Sequence, residues 1–305
     1  MSHLKIAFCF SLLILLFSCT SNREKEDIVT VTIVPQKYFA EKIAGDKFKI
    51  NTMVPSGSSP ETYEPSASSM IALDKSKGYF RIGNIGFEKN WIQKLKENHP
   101  NLPVFDNSKG IRILGGEVYE LNVEDDDNCE DIDSQCSHSH HSHACHADGD
   151  PHIWTSTNNG LIIAKNILDA FVEIDPENKD FYTANYTELV NEINHTRDSI
   201  SEILKNSKDA TFVIYHPSLT YFADEYNLHQ FAIENEGKEP SAATLKKLID
   251  DVRKSNAKVV FIQQEFDKKN AQIIANELGL KVVQINPLSD DWNNELINVA
   301  KAIAQ

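Results

Sequence analysis

The chain has 305 residues, 41% of them hydrophobic, and a formal net charge of −15. That apolar content excludes a wholly disordered chain, and the acidic balance without a basic face argues against nucleic acid as a partner. With 12 glycines and 11 prolines, the composition fits no fibrous class.

Residues 1–18 start polar, carry Lys5, and then run apolar from Ile6 to Phe17. That run is too short to span a bilayer and reads as the apolar region of a signal peptide. It ends at Leu16-Phe17-Ser18-Cys19, which resembles a bacterial lipobox with Cys19 as the lipidated first residue of the mature chain. Residues 19–27 are polar and read as a tether. The expectation is an exported protein, held to a membrane by lipid and otherwise soluble, in the periplasm or on the cell surface.

From Ile28 onward, apolar β-rich runs alternate with helical patterns, the signature of α/β architecture. In the first half, 28–34, 48–54, 79–82 and 104–105 read as strands. Helical patterns lie between them at 36–44, 66–76 and 88–97. The second half repeats the rhythm, with strands at 211–215, 229–233, 258–263 and 281–285. Helices follow them at 219–226, 242–254, 270–278 and 291–303. The expected fold is two four-stranded α/β lobes, a first at 28–174 and a second at 207–305. Between them, Asp175-Pro176-Glu177 opens a stretch to about Asn206 free of further proline and of glycine. Apolar residues recur there at helical spacing, predicting one rigid spine helix over 175–206, roughly 30 residues and about 45 Å long.

Between residues 117 and 150 the pattern collapses into an acidic run followed by a Ser/His/Cys run, too polar to fold alone. It carries His138, His140, His141, His143 and His146, with Cys136 and Cys145 interleaved. Imidazole and thiolate are the usual zinc ligands, so the loop reads as an accessory metal-binding tract, although no zinc-finger spacing is present. Cys129, Cys136 and Cys145 are odd in number, which excludes a simple paired disulfide framework. If the loop collects metal, replacing its five histidines should lower total stoichiometry and leave one tight site; unchanged stoichiometry would remove that role.

Three ordered elements sit where open α/β sheets bind ligands, at the carboxyl ends of strands. They are the segment 55–65 with Glu61, Asp150-Pro151-His152-Ile153-Trp154, and Tyr215-His216-Pro217. A cleft between the lobes could gather one carboxylate and two imidazoles. Taken singly, His216 reads as a core histidine and Glu61 as a helix N-terminal acid. His99, His195 and His229 read as structural or solvated. Asp224, Glu225, Glu234 and Glu236 form no metal-loop spacing.

These segments resemble the zinc- and manganese-binding proteins of bacterial ABC importers, the ZnuA/TroA-like family, over nearly all of residues 28–305. The carriers are P-x-G-x-S-P-x-x-Y-E-P at 55–65, the His/acid-rich loop before 150–154, and Asp175-Pro176. Tyr215-His216-Pro217-Ser218 with Tyr221-Phe222, Val260-Phe261 and Asn286-Pro287-Leu288 complete them. The resemblance implies a two-lobed, helix-spined lipoprotein with its metal site in the interlobe cleft. His152 and His216 stand at the family's histidine positions; Glu61 replaces its usual first histidine, and Asn286 its usual aspartate. The implied ligands are Glu61, His152 and His216, with Asn286 or Glu265 as the fourth. The implied function is capture of Zn²⁺, or alternatively Mn²⁺, by a monomer that hands it to an ABC permease. Affinity should then fall as histidines protonate, near and below about pH 6. A metal-dependent hydrolase lacks its H-E-x-x-H or G-x-S-x-G motif, and a surface adhesin is a further alternative.

Overall fold

The computed structural model describes residues 27–115, 149–234, 240–255, 257–266 and 268–305. Cys19 and the five loop histidines lie outside the described residues.

The first lobe is a parallel sheet of β1 (Ile28–Val31), β2 (Lys49–Thr52), β3 (Ser76–Arg81) and β4 (Val104–Asp106), in the order β2-β1-β3-β4. Its helices are α1 (Val34–Ala44), α2 (Ala67–Asp74) and α3 (Gly86–Asn98). After α4 (Thr157–Ile174) and α5 (Lys179–Leu204) comes the second sheet. It comprises β5 (Thr211–Ile214), β6 (His229–Ala232), β7 (Val259–Gln263) and β8 (Lys281–Ile285), in the matching order β6-β5-β7-β8 and again all parallel. Helices α6 (Thr220–Tyr226), α7 (Ala242–Lys254), α8 (Lys268–Leu278) and α9 (Trp292–Ile303) complete it. The expected two four-stranded lobes are therefore present, with strand ends differing by a few residues.

The spine departs from expectation at its start. Pro176–Asn178 form a separate 3₁₀ turn, and the long helix α5 runs over 26 residues, about 39 Å. Asp175 does not N-cap α5. It ends α4, and its carboxylate accepts hydrogen bonds from Asn178 Nδ2 at 2.8 Å and Tyr182 Oη at 2.6 Å. Pro176 lacks an N–H and has a fixed φ, so it starts a new turn instead of continuing one.

Both faces of the second sheet are covered, as parallel sheets require. Phe212 and Ile214 of β5 face the large core, while Val213 and Tyr215 face a smaller cluster with Phe231, Ile233 and Ile262. The larger core crosses between the lobes: it joins Phe39, Phe80 and Phe171 to α5 residues Leu189 and Ile193 and to Phe222, Phe261 and Trp292. Helix α5 packs against α1, α4 and α9. Trp292 of α9 reaches into the first lobe, edge-on to Phe39 at 4.9 Å between ring centres and stacked with Tyr38 at 5.9 Å. A Cβ at Gly160 would come within 2.9 Å of that indole, so α4 approaches it there through a bare backbone.

A polar network lies within the first lobe. Gln36 at the start of α1 accepts from the backbone N–H of Thr32 and donates to Phe80 O and to Asn107 Oδ1, tying β1, β3 and the end of β4 together. Glu88, fully buried in the first turn of α3, accepts from Thr32 Oγ1, from Ile82 N at 2.6 Å and from Gly83 N at 2.8 Å. Burial pushes its carboxyl up to about 7, against the opposing pull of those three donors and Arg81. The folded state thus holds the proton more tightly than the unfolded chain. Stability from this group is full below about pH 4.5 and is lost as pH rises through about 7, costing about 3 kcal/mol. Chemical denaturation at pH 5 and pH 8 should show Glu88→Gln with a smaller fall than the parent; equal falls would contradict the assignment.

Candidate metal centre

The carboxyl ends of both sheets face a common cleft. On the first lobe, the chain leaving β2 turns at Pro55–Ser58 and again at Ser59–Tyr63, each closed by a backbone hydrogen bond. Phe87 N then donates to Pro60 O at 2.7 Å and Gly86 N to Glu61 Oε2 at 3.1 Å, stapling this arm to the start of α3. Glu61 Oε1 is buried and has no hydrogen-bond partner.

His152 is delivered by a different device. Asp150 N donates to Leu114 O at 2.7 Å, joining the described chain before and after residues 116–148. Tyr221 of α6 clamps that junction: its hydroxyl donates to Asp150 O at 2.7 Å and accepts from Leu114 N at 3.2 Å. The buried Asp150 carboxylate then receives both the backbone N–H and the Nδ1 of His152, at 2.7 and 2.9 Å. Burial alone would lower the His152 pKa, but Asp150, with Glu61 and Glu234 beyond it, raises it. Burial likewise opposes ionisation of Asp150, yet the His152 charge and hydrogen bonds hold its carboxyl below the ordinary range.

His216 follows β5 directly. Gln263 at the end of β7 donates to His216 O at 2.6 Å and to Ser218 Oγ at 2.8 Å, fixing the turn. Its ring lies against Phe266 at 5.4 Å, and its Nδ1 bonds Glu234 Oε1 at 2.8 Å. The two imidazoles meet with their Nε2 atoms 3.2 Å apart and their planes crossed at 74°. With a carboxylate at each Nδ1, the neutral tautomer protonated there would leave each Nε2 free to bind a cation.

The cavity here has a volume of about 30 Å³, room for an ion or a water. Glu61, His152, His216 and Glu265 line it, with Trp154 and Phe266 among the apolar walls. Like Glu61, Glu265 has one buried oxygen, Oε1, without a partner. Asn286 does not line it: its Oδ1 accepts from Leu288 N at 3.2 Å, and Pro287 and Leu288 form the wall instead. Among the described residues, no three His, Cys, Asp or Glu side chains stand close enough together to hold a metal ion. The donors share a cavity without converging fully on one point.

Two partners in this arrangement escaped the sequence reading. Glu234, set aside there, holds His216 across 18 residues of chain, and Gly86 holds Glu61 across 25. Asp150 stood within a quoted motif, but without its role as the acceptor for His152. Asp150→Asn and Glu234→Gln should each weaken metal binding by about 10- to 100-fold with the circular dichroism spectrum unchanged. Parent-like affinity in both, read by competition with a chelating dye, would show that neither carboxylate orients its ring.

Residues 29–304 match the family described as zinc-uptake complex component A, periplasmic. The chain belongs to this family. One relative is the high-affinity zinc uptake system protein ZnuA of Bacillus subtilis, 28% identical over 275 residues, which are 89% of this chain and 81% of that protein. The zinc-binding lipoprotein AdcA of Streptococcus pneumoniae is 26% identical over 291 residues, covering 93% of this chain. The chain spans only 55% of AdcA, about half the length of that relative. A crystal structure of ZnuA, 35% identical, superposes with a TM-score of 0.78 over 92% of this chain and 98% of that one. A manganese-bound periplasmic metal binding protein from Candidatus Liberibacter asiaticus shares the fold, with a TM-score of 0.72 at 19% identity over 92% of this chain and 98% of that one. In this zinc-uptake family member, among the described residues, no helix is long and apolar enough to cross a membrane.

Proposed function

We propose that this chain is the extracytoplasmic receptor of a metal importer, capturing Zn²⁺ in the interlobe cleft and delivering it to an ABC permease. The observation that carries this reading is the pair of carboxylate-oriented imidazoles with Nε2 atoms 3.2 Å apart. Two nitrogens bound to one tetrahedral zinc, each at about 2.05 Å, stand about 3.3 Å from each other. Glu61 and Glu265 are the proposed third and fourth ligands, each offering a buried oxygen without a partner. Asn286 is the weaker choice, because its amide oxygen is committed to Leu288 N. Lipid attachment at Cys19 would keep it at the membrane near its permease.

Membership of the zinc-uptake family, with no H-E-x-x-H or G-x-S-x-G motif in the sequence, favours a receptor over a hydrolase. Manganese is the second reading, because two carboxylates beside two imidazoles give an oxygen-richer site than histidine-dominated zinc sites. Calorimetric titration with Zn²⁺ and with Mn²⁺ tests both, beside a Glu61→Ala/His152→Ala/His216→Ala variant. One tight zinc event, absent from the variant, is the expected result. Tight manganese with weak zinc would change the cargo, and a variant matching the parent for both would remove the cleft assignment.

A further inference from the structure

Glu61 is held in a way that limits what it can give a metal. Helix α3 is 13 residues long, and Ile85 at its N-cap supplies no side-chain hydrogen bond to the exposed amides of the first turn. Gly86 N–H instead donates to Glu61 Oε2, a carboxylate from another element placed where the positive end of the helix favours negative charge. The neighbouring bond from Phe87 N to Pro60 O prevents the arm from sliding along the helix. Behind the staple, the buried Glu88 accepts the amides of Ile82 and Gly83 and so pins the β3–α3 turn on which Gly86 stands.

Gly86 has an ordinary backbone conformation and no need of glycine for torsional reasons. Its need is space. A Cβ there would lie 2.4 Å from Glu61 Oε2, 2.8 Å from Glu61 O and 2.9 Å from Glu61 Cα. Two of those atoms belong to the Glu61 backbone, which cannot swing away as a side-chain tip could. Oε2 is drawn toward the Gly86 amide, while Oε1, buried and without a partner, is the oxygen with no hydrogen bond to compete with a metal.

We propose that the amino end of α3 makes Glu61 a one-oxygen donor, and that Gly86 is thereby a positioning residue that sets the preference of the cleft for a four-coordinate metal. The inference rests on Glu61 being a ligand. Zinc takes one oxygen from a carboxylate in a tetrahedral set, whereas oxygen-preferring ions of higher coordination gain from carboxylates that offer both. Releasing Glu61 from α3 frees its second oxygen and lets the carboxylate turn. Zinc binding then loses a pre-set donor while manganese binding keeps or gains one.

The test is titration of the full chain and its Gly86→Ala variant with Zn²⁺ and, separately, with Mn²⁺. Gly86→Ala should weaken zinc by about 10- to 100-fold and manganese by less than about threefold, narrowing the ratio between them. Unchanged affinities, or equal losses for both metals, would overturn the positioning role, because a general disturbance of the cleft does not distinguish the ions. If Gly86→Ala fails to fold, Glu61→Asp gives the same reading. One methylene shorter, it cannot both accept from Gly86 and reach the cavity, and the ratio should narrow again. Glu61→Ala separates the two levels: parent-like zinc binding there removes Glu61 as a ligand. Loss there, with Gly86→Ala and Glu61→Asp both keeping the parent ratio, removes the positioning role alone.

Discussion

His216→Ala should abolish tight zinc binding, with affinity falling by more than the roughly 100-fold that loss of an orienting partner can cost. The substitution removes one of two facing Nε2 donors and leaves Glu234, which His216 Nδ1 engages at 2.8 Å, without that bond. The expected calorimetric result is disappearance of the tight event, with any weaker binding elsewhere in the chain kept. Asn286→Ala is the matched control. Its side chain bonds the local backbone and does not line the cavity, so its affinity should stay within about threefold of the parent. Parent-like binding by His216→Ala would eliminate the paired imidazoles as the site. A large loss in Asn286→Ala would return that residue to the ligand set.

Trp292→Ala should be the most damaging single change to stability, at about 3–5 kcal/mol. The indole is 2% exposed, packs on Phe39 and Tyr38, and donates from Nε1 to Trp154 O at 2.7 Å. Trp154 in turn donates from its own Nε1 to Pro287 O at 2.8 Å. Removing Trp292 therefore opens a large void where the two lobes meet and takes a partner from the residue two places after His152. Urea denaturation should show a lower midpoint, and zinc affinity should fall in parallel. Trp292→Phe, which keeps most of the volume and loses the hydrogen bond, should cost less. A loss below about 1 kcal/mol for Trp292→Ala would mean that the lobes do not depend on a shared core.

Residues that act through their neighbours in sequence were the readable ones. Alternating apolar runs placed all eight strands, because covered parallel strands such as Val259–Gln263 must be apolar on both faces. His152 and His216 stand out through the family resemblance of the Pro-containing motifs that hold them; taken singly, each reads as structural. The Asp175-Pro176 pair reads in sequence as the start of the spine helix, because local pattern alone does not separate a 3₁₀ turn from a helix start. Pairings across the fold were out of reach. Nothing in the sequence around Glu234 says that His216 will lie beside it, and Gly86 has a role only once the Glu61 arm folds against it. Asn286 has a local use that the sequence does not show: the Asn-Pro-Leu turn engages its amide oxygen within two residues.

The tryptophan junction also bears on how fast cargo can come and go. A hinge opening wide enough to part the lobes would wet Trp292, which at 150–250 Å² and about 25 cal/mol per Å² costs about 4–6 kcal/mol for that side chain alone. Such an open form would make up less than about one molecule in a thousand. The arm carrying Glu61 is held to α3 by two described hydrogen bonds, from Gly86 and Phe87, and by Tyr63 against Phe87 at 5.9 Å. Under the receptor reading proposed above, metal exchange would favour movement within this smaller contact over bending of the spine.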